Sequence, residues 1–457
     1  MSQKKTLDLS QGTIWKVLLT FILPILAGSL IQQLYTAVDA VIVGRFAGKE
    51  GLAAIDSVYT MFKFPLNFLA GLSAGATIVI SRLFGSKVEG ELSLAVRTAF
   101  TIGLVLGILF SVIGCLAAPA LLEIMSVPEE IRPMTLAYVR IYFGGLWTMT
   151  MYNMLAGILR AFGNSRSPLY ILIVCCVLNI AGDLVLVGLL HTGAAGAAAA
   201  TVFAQLVSVI LAMRSLVRTC PGEGPLFRVS FNRDHMKRML FVGLPLALQS
   251  ILFPVANSIV HASINRMGTD AIAAWAVCGK LDMLIWLVAD SMSPALSTYT
   301  SQNLGAGRKD RILRGTMIGA ALSIGTVALI SLALFLIPGP LGKLFLAPAD
   351  HAALSPMIVR FMRLMAPFYV FYALHEAMSG SCCGTGDTLR PMILTLTCTC
   401  LLRVAGVFLI LPGIGTMECI IWIYVASWIA AGIAFLCMFI YRMRHLDVPS
   451  SLPAPEK

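Results

Sequence analysis

Apolar stretches with few charges recur along nearly the whole sequence, and this feature most restricts the fold. A helix of about 20 such residues crosses the roughly 30 Å hydrocarbon core of a bilayer. Backbone groups in lipid must pair within the chain, and long runs without strict alternation favour helices over a closed barrel. Hydrophobic residues make up 58% of the chain and charged residues only 12%. We therefore predict an all-α polytopic membrane protein.

The breaks between the apolar runs predict twelve transmembrane helices. Their approximate ranges are 14–43, 52–82, 93–118, 133–161, 168–190, 194–218, 236–263, 271–303, 313–337, 355–384, 391–411 and 418–442. With twelve spans, most basic residues fall on one side of the membrane, among them Arg82, Arg160 and Arg308, with Arg403 counted nearby. Because cytoplasmic loops carry an excess of Lys and Arg, we expect both termini to be cytoplasmic, in the plasma membrane.

The formal net charge of +11 does not indicate a nucleic-acid partner, because the basic residues are spread over short loops between apolar runs. Such spreading sets membrane orientation, and the lipid bilayer is the partner that it predicts. The eleven cysteines lie mostly within apolar runs, and Cys382 and Cys383 are adjacent instead of spaced as zinc ligands. We predict no cofactor. The chain also lacks H-E-x-x-H and G-x-S-x-G motifs, so an intramembrane enzyme is not expected.

A stretch rich in Pro and Gly, "TCPGEGPLFRVSFNRDH" from Thr219, interrupts the apolar pattern at the middle of the chain. Such a composition is typical of a connecting segment. We predict the following division: an N-terminal six-helix lobe at 1–218, a cytoplasmic linker at 219–235, a C-terminal six-helix lobe at 236–445 and a disordered tail at 446–457.

The two predicted lobes resemble each other in sequence. "LPILAGSLIQQLYTAVDAVIVGRFAG" from Leu23 aligns with "LPLALQSILFPVANSIVHASINRMG" from Leu244, which places Pro24 opposite Pro245. "GNSRSP" before the fifth helix answers "GTGDTLRP" before the eleventh. Six helices per copy make the repeat parallel, so the lobes should be related by a pseudo-two-fold axis along the membrane normal. A cleft between such lobes favours a transporter.

Polar residues cluster on the first, fifth and sixth helices. Gln32, Tyr35 and Asp39 are spaced by three and four residues, which places them on one helix face. A charged group at this depth costs about 2.5–3.5 kcal/mol on insertion scales, so a compensating role is expected.

Asn179 and Asp183 share a face of the fifth helix, and Thr201 opens the sixth. Their distances from the helix ends place Asp39, Asp183 and Thr201 at a similar depth. Two carboxylates with amide and hydroxyl oxygens suit either Na⁺ or a shared proton. A buried hydrogen-bond network without transport chemistry is the alternative.

The second lobe is less acidic at the matching positions. Val260, beside His261, stands where the first lobe has Asp39, and Arg403 stands near the place of Asn179. The remaining intramembrane acids are Asp290 and Glu376, with His375 adjacent. Asp282 is expected either to pair locally with Lys280 or to lie at a helix end.

At these residues the sequence resembles the multidrug and toxic compound extrusion family. The similarity rests on "LTFILPILAGSLIQQLYTAVDAVIVGRFAG", "LRAFGNSRSP", "SPALSTYTSQNLGAGRKDR" and "GTGDTLRP", and it covers nearly the whole chain. The resemblance implies a two-lobe antiporter that exports amphipathic, often cationic organic compounds against an inward flow of H⁺ or Na⁺. It also implies that Asp39, Asn179, Asp183 and Thr201 form the coupling-ion site. We expect the protein to act as a monomer.

The remaining expectations concern the substrate cavity and the alternative functions. The predicted substrate-cavity residues are Gln32, Tyr35, Asn153, His261 and Glu376. Pro24 removes one backbone hydrogen bond from the first helix, which suggests bending there or a static kink. A flippase for a lipid-linked precursor and a metabolite carrier remain alternatives, although twelve spans and an ion site in the first lobe favour the drug exporter.

Overall fold

The computed structural model describes residues 7–446 apart from residue 89 and residues 220–226. Every regular element in this part of the chain is helical. Residues 220–226 of the predicted linker and all but the first residue of the predicted tail therefore lie outside the described residues. The chain divides into two compact units. The first unit contains Thr20–Ala247 with the residues just before Leu9, and the second contains Leu9–Leu19 and the chain from Leu248 onward.

Seven helices precede the undescribed gap after Thr219. They are α1 (Ile14–Phe46), α2 (Gly48–Ser86), α3 (Glu91–Ile124), α4 (Arg132–Gly144), α5 (Leu146–Ala161), α6 (Arg166–Asp183) and α7 (Gly193–Thr219). Between α6 and α7, the chain continues from Asp183 as a π-helical segment, Leu184–Leu189.

Eleven further helices follow the gap. They are α8 (Arg233–Ile264), α9 (Thr269–Leu281), α10 (Met283–Gly305), α11 (Lys309–Leu336), α12 (Pro338–Lys343), α13 (His351–Met365), α14 (Tyr369–Gly384), α15 (Leu389–Thr395), α16 (Leu402–Leu409), α17 (Leu411–Ile414) and α18 (Met417–Arg444). A second π-helical segment, Leu396–Leu401, joins α15 to α16.

The all-α prediction is confirmed, but the count of straight spans differs from twelve. Within the described residues, ten helices are long and apolar enough to cross a membrane. An eleventh forms if α9 and α10, which meet at 49°, count as one span. The predicted helix 133–161 is divided at Gly145 into α4 and α5, with 13 and 16 residues, each too short to cross alone.

The first unit has two large buried clusters on α2, α3, α4, α5 and α7; one contains Leu155, and the other contains Phe62 and Phe143. Glycines let the start of α8 approach α2 at backbone distance. A Cβ on Gly75 would overlap the backbone of Gly243, and one on Gly71 would overlap that of Ala247. Small residues therefore set this contact, as is common where membrane helices pack closely.

The second unit has its own core, centred on Trp428, Tyr369 and Phe361. Polar side chains at the end of α10 and the start of α11 hold the segment that precedes α1. Gln302 Oε1 accepts from the Leu9 amide at 3.0 Å, and Arg311 donates to the Gly12 carbonyl at 2.9 Å. These bonds satisfy backbone groups of a non-helical segment, which would otherwise be costly to bury.

Candidate ion-coupling site

In the first unit, α1, α6 and α7 bring four of the predicted polar side chains into one cluster with Tyr35. Asn179 and Asp183 are completely buried, while Asp39 is half-buried. The Asn179 amide lies 3.1 Å from the Thr201 hydroxyl. With its nitrogen turned toward the acid, the same amide donates to Asp183 Oδ2 at 3.0 Å. The Tyr35 side chain is hydrogen-bonded to Thr201.

The two acids of this cluster are in direct contact. Their carboxyl groups lie close enough to share a hydrogen bond. A hydrogen bond between two carboxyl groups needs a proton on one of them, because an ionised carboxylate only accepts. One buried oxygen of each acid, Oδ1, has no hydrogen-bond partner. The arrangement therefore has a place for one shared proton, and one buried oxygen on each acid has no partner.

The backbone around Asp183 is irregular. Asp183 is the last residue of α6, and the π-helical segment Leu184–Leu189 starts directly after it. π-Helical turns are rare and occur frequently at functional sites. The Thr192 hydroxyl donates to the Leu186 carbonyl at 2.6 Å, which satisfies a backbone group at this turn. Sequence periodicity indicated a helix over 168–190 but gave no sign of this widened turn.

The other first-lobe residues proposed from the sequence lie on the same or neighbouring helices. Gln32 is exposed on α1, and Asn153 is half-buried on α5. Pro24 lies within α1, which runs without interruption from Ile14 to Phe46. The cavity role of Gln32 and Asn153 and the bending role of Pro24 remain predictions.

The second unit has a separate acidic cluster between α10 and α14. The Tyr372 hydroxyl donates to Asp290 Oδ1 at 2.6 Å, and Tyr372 is also hydrogen-bonded to Glu376. His375 Nδ1 lies 3.5 Å from Glu376 Oε1. The Trp286 ring meets the Tyr372 ring edge to face, with centroids 4.5 Å apart. The sequence named both acids but missed Tyr372, although its place one helical turn before Glu376 is a usable signal.

The structure decides the position of two charged residues of the second unit. Asp282 lies at the start of α10, as one alternative predicted, and its Oδ2 accepts from the Tyr369 hydroxyl at 2.9 Å. A local pair with Lys280 is therefore wrong. Arg403, counted among charges near one membrane side, is buried within α16 with 2% of its surface exposed. A single basic residue inside an apolar run is wrongly assigned to a loop when loops are identified from charge alone.

His261 lies apart from the acidic cluster of the second unit in the contacts that the structure describes. It is exposed on α8, and its ring meets Trp275 edge to face with centroids 6.5 Å apart. Its neighbour Val260 is fully buried in the core of the second unit. A cavity role for His261 remains a prediction.

The chain has apolar spans, a sequence repeat in its two halves, and acidic side chains on its membrane-spanning helices. Together these features define the class of multi-pass membrane transporters. The chain belongs to the MatE family, whose model matches residues 24–185 and again 245–409. The two matches fall on the two copies of the repeat. Members of this family are multidrug efflux transporters and not enzymes.

Individual relatives are distant but similar over most of their length. The "Probable multidrug resistance protein YoeA" of Bacillus subtilis is 25% identical over 87% of this chain and 86% of its own. The "FAD transporter" of Shewanella oneidensis is 24% identical over 74% of this chain and 75% of its own. A solved MOP superfamily transporter from Pyrococcus furiosus has a TM-score of 0.87 at 21% identity, covering 97% of this chain and 99% of its own.

Proposed function

We propose that the protein is an antiporter that exports amphipathic, often cationic organic compounds in exchange for H⁺ or Na⁺. The observation that carries this proposal is the contact between Asp39 and Asp183, each with one unpartnered buried oxygen. Those oxygens, with the Asn179 amide and the Thr201 hydroxyl, are hard ligands of the kind that Na⁺ prefers. The same two carboxyl groups can instead share a proton.

Alternating access with competition between ion and substrate would use this site as follows. In the outward-open state, an external ion binds the Asp39–Asp183 pair and changes the packing of α1, on which Asp39 and Tyr35 lie. Substrate then leaves to the outside, and the ion is released to the cytoplasm after inward opening. Pro24 leaves one backbone carbonyl of α1 without its usual donor, which favours bending of this helix at that point.

The substrate contacts would include Gln32, Tyr35, Asn153, His261 and Glu376. Aromatic rings beside carboxyl groups suit an organic cation, because the ring face attracts positive charge. In the second unit, Trp286 and Tyr372 stand beside Asp290 and Glu376 in this manner. We place the working protein in the plasma membrane as a monomer.

The test is transport in reconstituted liposomes with ethidium as substrate and imposed pH or Na⁺ gradients. Asp39→Asn removes the charge but keeps the shape, and we expect gradient-driven ethidium efflux to be abolished while folded protein remains in the membrane. The matched control is Asp56→Asn, which changes an exposed acid on α2 and should leave efflux unchanged. Efflux by Asp39→Asn at the wild-type rate would refute the proposed site.

A second candidate function is export of an anionic metabolite, favoured by the similarity to the Shewanella oneidensis FAD transporter. The same liposomes separate the two functions when flavin adenine dinucleotide is added as a competitor. A cation exporter should move ethidium regardless of the dinucleotide. Competitive inhibition, with gradient-driven uptake of labelled dinucleotide, would favour the metabolite carrier.

A further inference from the structure

Corresponding helices of the two repeats both carry a polar cluster, but the charge in the second cluster is reversed. The pairing of Pro24 with Pro245 makes α8 the counterpart of α1. The pairing of Pro168 with Pro391 likewise makes α15 and α16 the counterpart of α6. The last helix of the second half, α18, corresponds to α7, the last helix of the first half. In the first unit these helices supply two acids, an amide and a hydroxyl. In the second they supply Asn257, Arg403 and Ser427.

The contacts of Arg403 are those of a bound cation. Its Nε donates to Ser427 Oγ and its NH1 donates to Asn257 Oδ1, both at 2.8 Å. Its guanidinium carbon lies 4.2 Å from the centre of the Tyr424 ring and 6.0 Å from that of Phe253. Amide and hydroxyl oxygens also line the first-unit site, where Asn179 and Thr201 provide them.

No acid neutralises this charge at close range. Among the described residues, every ion pair within 4.0 Å involves other side chains, and none includes Arg403. An unpaired charge removed from water is costly. Two neutral oxygens and two aromatic faces compensate part of that cost, because cation–π contacts gain strength when they are removed from water. Because burying Arg403 at this point of the repeat costs free energy, we expect its charge to have a function.

We propose that the Arg403 guanidinium is a tethered cation that fills the second unit's counterpart of the first unit's ion site. The second unit is then permanently loaded at this position, and an exchangeable ion binds only through Asp39 and Asp183. The inference rests on the proposed first-unit ion site for this last consequence. The filling of the second-unit position stands on the contacts of Arg403 alone.

Chemical rescue tests the tethered cation directly. Arg403→Ala opens a space lined by Asn257, Ser427 and Tyr424, and we expect its Tm in detergent to fall. Millimolar guanidinium or ethylguanidinium should then raise the Tm of this variant saturably. The same salts should not raise the Tm of the wild type or of Arg390→Ala, which removes a surface arginine whose side chain is 56% exposed.

Two results of this titration would overturn the proposal. One is an Arg403→Ala variant with the wild-type Tm, because the cation would then stabilise nothing. The other is a destabilised variant that responds to guanidinium no differently from Arg390→Ala.

A second variant keeps the proposal testable if Arg403→Ala does not fold. Asn257→Asp gives the buried guanidinium a carboxylate at its present hydrogen-bond distance, and we expect a higher Tm than the wild type. Asn257→Gln, which keeps a neutral amide, is the matched control. A lower Tm for Asn257→Asp than for Asn257→Gln would mean that the guanidinium is already neutralised, and the tethered-cation assignment would be wrong.

The failure of this inference is distinguishable from failure of the proposed function. Ion-coupled efflux by Asp39→Asn would remove the first-unit ion site but would leave the guanidinium titration of Arg403→Ala unaffected. Conversely, absence of rescue in Arg403→Ala would refute the tethered cation while the loss of coupling in Asp39→Asn still stood.

Discussion

Single buried oxygens decide what the first-unit cluster can bind. Asp39 and Asp183 lie within hydrogen-bonding reach of each other, and Thr201 links the Asn179 amide to the Tyr35 side chain. Each polar group therefore has a partner that fixes its orientation, apart from one oxygen on each acid. In a low-dielectric site such a network is rigid, because leaving any polar group without a hydrogen-bond partner costs free energy. A bound proton or cation would therefore be stabilised most at these two unpartnered oxygens.

Thr201→Val tests whether the hydroxyl contributes to ion binding. Valine keeps the shape but removes the contacts to Asn179 and Tyr35, and one hydrogen bond is worth about 1 kcal/mol net. We expect the ion concentration for half-maximal ethidium efflux to rise about fivefold, since 1.4 kcal/mol corresponds to tenfold. Thr326→Val, which changes an exposed threonine bonded only within α11 in the contacts described, should not shift it. Equal values for the two variants would remove Thr201 from the site.

At the residue scale the sequence indicated the acids but not their surroundings. Asp39 and Asp183 were recognisable because carboxyl groups are rare in apolar helices. Arg403 carries the opposite charge in an equally apolar run, yet its burial depends on Asn257 and Ser427, which lie 146 and 24 residues away. Contacts of that range are set by helix packing, which local pattern does not encode.

Helix breaks lie where short polar or small residues disturb the apolar runs. Gly145 separates α4 from α5, and Asp282 separates α9 from α10. Hydropathy located these segments but gave each as one helix, because apolarity does not record a change of axis. In the second unit, α10 and α14 then approach closely, since a Cβ on Gly380 would overlap the backbone of Ser293. This contact places Glu376, one turn earlier on α14, beside α10.

Gly380→Ala is expected to force these two helices apart. Overpacking of a tight contact costs about 1–3 kcal/mol, so we expect a lower Tm in detergent and slower ethidium efflux. The control is Gly325→Ala on α11, where an added Cβ meets nothing within 4 Å. Because alanine is favoured over glycine inside helices by about 1 kcal/mol, that variant should melt at or above the wild-type temperature. Equal destabilisation of both would argue against a packing role for Gly380.

For the whole molecule, the repeat was the most informative sequence pattern. It predicted two similar halves, and the family model matches each half separately. It did not predict that the segment Leu9–Leu19 would belong to the second unit, or that α8 would begin in the first. Those assignments depend on particular contacts, such as Arg311 with Gly12 and Gly75 with Gly243. Duplication therefore explains the architecture, whereas individual side chains decide where each unit ends.

The number of spans decides on which side of the membrane the two ends of the chain lie. Ten or twelve crossings place both ends on one side, whereas eleven place them on opposite sides. With α9–α10 and α4–α5 each counted as one broken span, the total is twelve. The excess of basic residues near Arg82, Arg160 and Arg308 predicts that the shared side is cytoplasmic.

Reporter fusions test this arrangement. A fluorescent protein, which matures only in the cytoplasm, should fluoresce at either terminus, while alkaline phosphatase inserted at His191, before α7, should be active outside. A fusion at Gly307, between α10 and α11, should report the cytoplasm and serves as the matched internal control. If the two termini reported opposite sides, one of the two broken pairs, α4–α5 or α9–α10, could not cross the membrane, and the parallel relation of the two halves would be lost.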